Sequence, residues 1–367
     1  MHVVQLVPSL AVGGMEVVVV HLASWLRARG VSVEVLFFEG ADSLAAELGR
    51  KGVPVRRLRL LPYAWRFHPT QLIRHLAGRE DLVLHGHMYA WHKCIAVARW
   101  REAACVYTQH GSEEGWISKE WREMRRSAVA TQAAVGVSDE IVRFLVDRLG
   151  IPRERAYLVP NGLPDIHLAQ KPSVDWGVPI PLGSPLIGMV GRLAQPKDPG
   201  TLLEALLIAR ERVPDAQLVF IGGGPDEARL RQRIQELNAT GFVHVLGERP
   251  DVPQLLHQLD VFVLSSRSEG HSMAILEAMS AERAIVATRV GGNGHLLDEG
   301  ACGVLTPPGE PGPMADAIVR LLRDPGEARR FAALARRRFL DQFGVDRMGE
   351  AYLRIYREAL ARRERLG

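Results

Sequence analysis

Short apolar runs alternate with helix-length segments along nearly the whole chain. Runs of apolar residues bounded by turn signals predict strands, and the longer stretches between them predict helices. In the first half, strands are expected over Val3–Val7, Val31–Phe38, Val53–Leu60, Leu82–His85, Cys105–Thr108, Ala133–Val137 and Tyr157–Val159. In the second half they are expected over Leu186–Val190, Gln217–Ile221, Val243–Leu246, Val261–Leu264, Ala284–Ala287 and Gly303–Leu305. Thr201–Arg212, Asp226–Leu237 and Pro313–Leu322 are among the predicted helices. Strand and helix taking turns imply βα units, parallel sheets and an α/β fold.

Residues 160–185 interrupt the rhythm. Pro160-Asn161-Gly162-Leu163-Pro164 is followed by Pro172, Pro179, Pro181 and Pro185 with little periodicity, which is linker composition. The chain therefore reads as two doubly wound, Rossmann-like domains, residues 1–168 and 182–344. A last amphipathic, arginine-rich helix spans Val345–Leu366. In such sheets a ligand binds outside the carboxyl ends of the strands, and the space between two such domains is the default site.

A length of 367 residues agrees with two cores. The net charge of +4 is unevenly placed. Residues 1–168 hold 21 Lys and Arg against 17 Asp and Glu, whereas the remainder holds 25 of each. Six of the seven tryptophans also lie in the first half. The halves look like different tools, and the excess is too small to argue for nucleic acid. Cys94, Cys105 and Cys302 form no C-x-x-C pair, which argues against a disulfide framework or a zinc site and suits a reducing cytoplasm. No basic, apolar and small-residue leader precedes His2-Val3-Val4, and no apolar run reaches the ~20 residues of a spanning helix. A cytoplasmic location is the expectation.

Three turns carry candidate chemistry. The first follows the first strand and contains Gly13-Gly14, which lets backbone approach a ligand and offers helix N–H groups to an anion. A plain tight turn explains the pair equally well. The second follows Leu186–Val190 and carries Arg192 and Lys197, a planar fork and a point charge suited to a diphosphate, although taken as two isolated cations they read more simply as surface salt-bridge partners. The third follows Val261–Leu264 and runs Ser265-Ser266-Arg267-Ser268-Glu269-Gly270-His271-Ser272-Met273, with Glu277 eight residues beyond Glu269. There Gly270 permits a sharp turn, Ser272 caps the next helix, and each glutamate can accept hydrogen bonds from hydroxyls.

These positions resemble the retaining glycosyltransferases of family 4. The resemblance rests on Gly191-Arg192-Leu193 with Lys197, and on Glu269-Gly270 with Glu277. It extends to Gly13-Gly14, Val137-Ser138, Val159-Pro160-Asn161-Gly162, Gly222-Gly223-Gly224-Pro225 and Val290-Gly291-Gly292-Asn293. It implies a GT-B fold: two Rossmann-like domains with an interdomain cleft, an acceptor-binding N-domain, a nucleotide-sugar-binding C-domain, and a final helix (345–367) returning to the N-domain. It further implies that Arg192 and Lys197 bind the donor diphosphate, that Glu277 binds the ribose, and that Glu269 contacts the transferred sugar. Backbone at Gly13, Gly14, Gly270, His271, Ser272 and Met273 belongs to the same donor site, and His110 contacts the donor sugar near the reacting carbon. For His110 a satisfied strand-end histidine is the competing reading. Two departures stand out. His295 replaces a glutamate common in the family, and Asp198-Pro199 follows Lys197 in place of the usual glycine, a change expected to matter little. Arg249 is placed near the nucleobase, against the stronger reading of a surface arginine.

No Asp-x-Asp occurs in the chain, so cations and helix dipoles are expected to hold the diphosphate without metal or cofactor. The resemblance implies retention of anomeric configuration by front-face displacement. The expected partners are a nucleotide sugar and a glycan or lipid-linked acceptor in surface polysaccharide or glycolipid synthesis. Aromatics suited to sugar rings cluster at Tyr63, Trp65 and Phe67 and at Met88, Tyr89, Trp91 and His92. The basic, aromatic segment 116–126 suits peripheral contact with anionic membrane, and a solvated helix suits it equally. Two alternatives compete: a sugar-nucleotide epimerase of the same fold, which turns over without acceptor, and a non-catalytic sugar-binding protein. A dehydrogenase lacks its G-x-G-x-x-G, and a P-loop enzyme its G-x-x-x-x-G-K-[ST].

Overall fold

The computed structural model describes residues 1–58, 70–91, 94–95, 97–98, 102–111, 118–167 and 174–364. The chain divides into two compact units, Met1–Pro164 with Val345–Gly367, and Asp165–Gly344. The breaks fall within a few residues of the seam and at the start of the last helix.

The first unit holds strands β1 (His2–Val7), β2 (Ser32–Phe37), β3 (Val55–Arg57), β4 (Leu82–His87), β5 (Ala104–Gln109), β6 (Ala133–Gly136) and β7 (Ala156–Leu158). All are parallel, in the order β3-β2-β1-β4-β5-β6-β7. The second unit holds β8 (Leu186–Val190), β9 (Gln217–Ile221), β10 (Val243–Val245), β11 (Val261–Leu264), β12 (Ala284–Thr288) and β13 (Val304–Thr306), parallel in the order β10-β9-β8-β11-β12-β13. Helices cover both faces of such sheets, so the central strands are apolar throughout: every residue of Val261–Leu264 and Ala284–Thr288 is buried. Each unit reverses its strand order once, between β1 and β4 and between β8 and β11. These crossovers are where an open α/β sheet leaves room for a ligand.

Every predicted strand is present, most with ends shifted by one or two residues. The third is shorter, because within Val53–Leu60 only Val55–Arg57 pairs with a neighbour among the described residues. Tyr63, Trp65, Phe67, His92 and Trp116 lie outside the described residues. Of the segment 116–126, residues from Ser118 onward form the helix Ser118–Val129, with Met124 buried and Arg125 and Arg126 exposed. Tyr89 is exposed, and Trp91 is buried and stacked on Tyr107 at 4.0 Å, a core role in place of an open sugar platform. No described helix is long and apolar enough to cross a membrane.

The terminal helix Val345–Glu364 belongs to the first unit's core. Trp25 Nε1 donates to Asp346 Oδ1 at 2.8 Å, and Gly349 lies flat against the Trp25 ring, where a Cβ would stand 2.2 Å from a ring carbon. One turn and two turns on, Tyr352 and Tyr356 are fully enclosed. Burying an aromatic side chain contributes about 1.5–3 kcal/mol, so this helix is integral to the unit.

Candidate functional site

The second unit brings Lys197, Glu269 and Glu277 together at its crossover. Leaving β8, the chain turns through Gly191 and Arg192 to a short 3-10 turn, Gln195–Lys197. The turn is pinned from β11. Ser265 Oγ donates to the carbonyl oxygens of Lys197 and Asp198 at 3.0 and 2.8 Å, and the Arg267 N–H donates to Pro196 O at 2.8 Å. Lys197 is thereby aimed at the loop after β11. Its Nζ donates to Glu269 Oε1 at 2.5 Å, and Ser266 Oγ donates to the same oxygen at 2.6 Å.

Asp198 corrects the expectation that its presence matters little. It sits at φ +44°, the left-handed region that suits glycine, so an aspartate there carries strain. Its carboxylate offsets the strain. Oδ1 caps the helix Pro199–Arg210 by accepting from Thr201 N, Oδ2 accepts from Thr201 Oγ1 at 2.7 Å, and Arg267 Nε donates to Oδ2 at 2.7 Å.

After Glu269, Gly270 and His271 lead into the helix Met273–Ser280. Ser272 caps it, its Oγ accepting from Ile275 N. The open N–H groups of that first turn and the helix dipole favour an anion. Glu277 projects from the same helix. Part of its surface is open, yet burial pushes its carboxyl up to about 7, with the Lys197 charge working against the rise. Lys197 thus acts electrostatically on both glutamates. His271 is buried against Phe343 and near His295, and burial, with a smaller push from His295, holds its imidazole down to about 3. Arg192 is exposed and forms no hydrogen bond or ion pair among the described residues. It follows Gly191, where a Cβ would lie 3.7 Å from Lys197 Cε.

Two glycine turns build the walls. Gly222, after β9, has φ +138°, and a Cβ there would stand 2.1 Å from Gly191 O. Gly291, after β12, has φ +48°, and a Cβ would stand 1.7 Å from Glu269 O. Only glycine allows backbone so close.

In the first unit, Gly13 and Gly14 open the helix Gly14–Ala28 after β1. The Glu16 side chain folds over that start, and Ser9 Oγ donates to Glu16 Oε1 at 3.3 Å. His110 follows β5. Its Nε2 lies 2.8 Å from His87 Nδ1, its Nδ1 is enclosed without a partner among the described residues, and burial holds its pKa down to about 3. It is therefore a half-satisfied histidine.

The sequence profile of the glycosyl transferases group 1 matches residues 171–338, and that of glycosyltransferase family 4 matches residues 12–165. The chain belongs to the group 1 glycosyltransferases of family 4. It is 28% identical over 311 residues to the alpha-maltose-1-phosphate synthase of Mycolicibacterium smegmatis, covering 78% of this chain and 77% of that protein. It is 28% identical over 366 residues to the D-inositol 3-phosphate glycosyltransferase of Nocardia farcinica, covering 88% and 80%. Among solved structures it resembles Anabaena HepE in complex with UDP, with a TM-score of 0.84 at 22% identity over 96% of this chain and 99% of that one. It also resembles sucrose-phosphate synthase from Thermosynechococcus elongatus, with a TM-score of 0.76 at 19% identity over 98% and 100%. The fold is GT-B.

In this glycosyltransferase Arg249 takes the plainer of its two readings. It pairs with Asp251 at 2.7 Å and donates to the carbonyl oxygen of Asp175 at 2.9 Å, so its charge is already engaged. Among the described residues, no group of three or more His, Cys, Asp or Glu is placed to hold a metal ion. Sequence reasoning missed Ser265, Ser266 and Asp198 as supports of Lys197. A signal existed for the serines, since both directly follow a strand at its carboxyl end.

Proposed function

We propose that this glycosyltransferase is a retaining enzyme that moves a hexose-type sugar from a nucleotide-diphosphate sugar to a hydroxyl of a glycan or lipid-linked acceptor, in synthesis of a surface polysaccharide or glycolipid. The observation that carries the reading is the meeting of Lys197, Glu269 and Glu277 beside a capped helix start at the crossover of the second sheet. UDP bound in the HepE structure supports uracil as the first nucleobase to test.

In this reading Lys197, Arg192 and the N-terminus of Met273–Ser280 take the diphosphate and stabilise the charge that grows on it as it leaves. Glu277 accepts from ribose hydroxyls, Glu269 and His110 contact the sugar, and the first unit takes the acceptor. The bond from the anomeric carbon to the β-phosphate oxygen breaks. The acceptor oxygen bonds to the same face of that carbon, and its proton passes to the departing phosphate oxygen. No metal is required, so chelator leaves turnover unchanged. Segment 116–126 rests on anionic lipid at the inner face of the membrane, and flotation with phosphatidylglycerol vesicles at low salt tests it.

A thermal-shift screen of UDP, GDP, ADP and their hexose conjugates tests the donor site, because a ligand at 100 times its Kd stabilises by about 2.7 kcal/mol. UDP or GDP is expected to raise Tm in the native enzyme and to lose that effect in Lys197→Ala. If no nucleotide stabilises the protein, the donor site is wrong. NMR of the anomeric proton in the product tests retention, and turnover of nucleotide sugar without acceptor would point to an epimerase instead.

A further inference from the structure

A chain of seven side chains runs through the first unit beneath His110. In a strand, residues two apart share a face, so His85 and His87 point to the same side of β4. The register sets Gln5 beside His85 and His87 beside Thr108. The helix Val345–Glu364 packs over that face, and its Tyr352 and Tyr356, four apart, reach the same polar strip. His110 Nε2 meets His87 Nδ1 at 2.8 Å, and His87 Nε2 meets Gln5 Oε1 at 2.6 Å. Gln5 Nε2 donates to the Tyr356 hydroxyl at 3.0 Å, and that hydroxyl meets His85 Nδ1 at 2.8 Å. His85 Nε2 meets Thr108 Oγ1 at 2.7 Å, and Thr108 Oγ1 meets the Tyr352 hydroxyl at 3.0 Å. All but His110 are fully buried.

Burial holds His85 and His87 neutral, well below the ordinary histidine range, and His110 as well. A neutral imidazole has one N–H and one bare nitrogen. The chain therefore has a direction, and one fixed member fixes the rest. Gln5 is that member, because its oxygen only accepts and its nitrogen only donates. With Oε1 toward His87, the His87 proton lies on Nε2 and its Nδ1 is bare. His110 then donates from Nε2. We infer that His87 is a positioning residue that locks His110 in the Nε2-protonated tautomer, leaving His110 Nδ1 as a bare acceptor for a ligand hydroxyl. A buried acceptor without a partner is unfavourable, and a hydroxyl that donates to it removes that cost. The ligand half of the inference rests on the proposed role of His110 at the donor sugar. The tautomer half rests on the hydrogen-bond geometry and on rings that burial keeps neutral.

Long-range proton–nitrogen correlation on the full-length, 15N-histidine-labelled protein reads each ring nitrogen. The expected spectrum shows His110 in one tautomer, with a protonated Nε2 and a bare Nδ1. Turning the Gln5 amide over reverses every bond and protonates Nδ1, and that spectrum would overturn the inference. In His87→Leu the single His110 tautomer is expected to give way to a mixture, and UDP release from UDP-glucose to fall roughly 10–100-fold, with part of both restored in His87→Gln. If His87→Leu does not fold, Gln5→Met removes the amide at similar length and carries the same expectation. An unchanged His110 spectrum in the variant that folds overturns the positioning role. If His110 has the expected tautomer but His110→Ala keeps full turnover, the role of His110 in the proposed function fails, and the ligand half fails with it.

Discussion

Lys197 Nζ lies 2.5 Å from Glu269 Oε1 although 72 residues separate them. The pair spans the crossover of the second sheet, one member from the loop after β8 and one from the loop after β11. Lys197 keeps 23% of its side chain exposed and Glu269 only 9%, so the cation faces outward and the carboxylate backs it.

Lys197→Ala is expected to act twice. In the proposed role, loss of this cation from the leaving diphosphate is expected to lower turnover by about 10²–10³-fold. Glu269 also loses its ion-pair partner while nearly enclosed, which costs roughly 1–3 kcal/mol of folding stability. Initial rates and urea denaturation measure the two separately. A variant with unchanged rates would remove Lys197 from the reaction.

Glu277 sets a pH dependence. Its carboxyl rises from the usual 4.5 to about 7 because burial disfavours the charged form. The folded protein thus holds this proton where the unfolded chain has released it. Its contribution to stability is complete below about pH 4.5 and is lost as pH rises through about 7. Denaturation midpoints at pH 5 and 8 are expected to differ more in the native protein than in Glu277→Gln. In the proposed role, ribose hydroxyls donating to the carboxylate favour its charged form, so nucleotide binding near pH 7 is expected to release a proton. Calorimetry in two buffers of different ionisation enthalpy detects it.

Asp198 separates strain from capping. Asp198→Ala keeps the left-handed backbone and loses the cap and the Arg267 pair, so a loss of about 1–2 kcal/mol is expected. Asp198→Gly relieves the strain as it loses the cap, and a change below about 0.5 kcal/mol is expected. Equal losses in the two variants would contradict the left-handed assignment.

Gly291→Ala places a methyl 1.7 Å from Glu269 O at φ +48°. The Glu269 loop must shift, so turnover is expected to fall at least tenfold, together with a lower Tm. Gly294→Ala meets first the Glu299 carboxylate, the end of a flexible side chain, and serves as the milder comparison.

Much of the architecture was legible because parallel strands buried on both faces write themselves as plain apolar runs. Val261–Leu264 and Leu186–Val190 fall where the pattern puts them. Edge positions are less legible, since Val55–Arg57 carries two arginines and takes its strand form from pairing with β2. Within the site, the loop positions of Lys197, Glu269 and Glu277 followed from strand ends and helix starts. Their mutual distances did not, because contacts between loops 72 residues apart are set by sheet order. Asp198 was misjudged because only backbone geometry reveals a left-handed residue. The polar strip under His110 had a readable trace, the alternation His85-Gly86-His87. Its partners Tyr352 and Tyr356 come from the far end of the chain, and no local pattern ties them to it.

The last helix imposes an order on biosynthesis. The ribosome delivers the seven strands of the first unit early, but Tyr352 and Tyr356, which plug its polar strip, emerge only after the second unit has been made. The half of the enzyme that begins first is sealed last. Until then Gln5, His85 and Thr108 lack their tyrosine partners, and the nascent chain carries an unfinished surface through most of its synthesis.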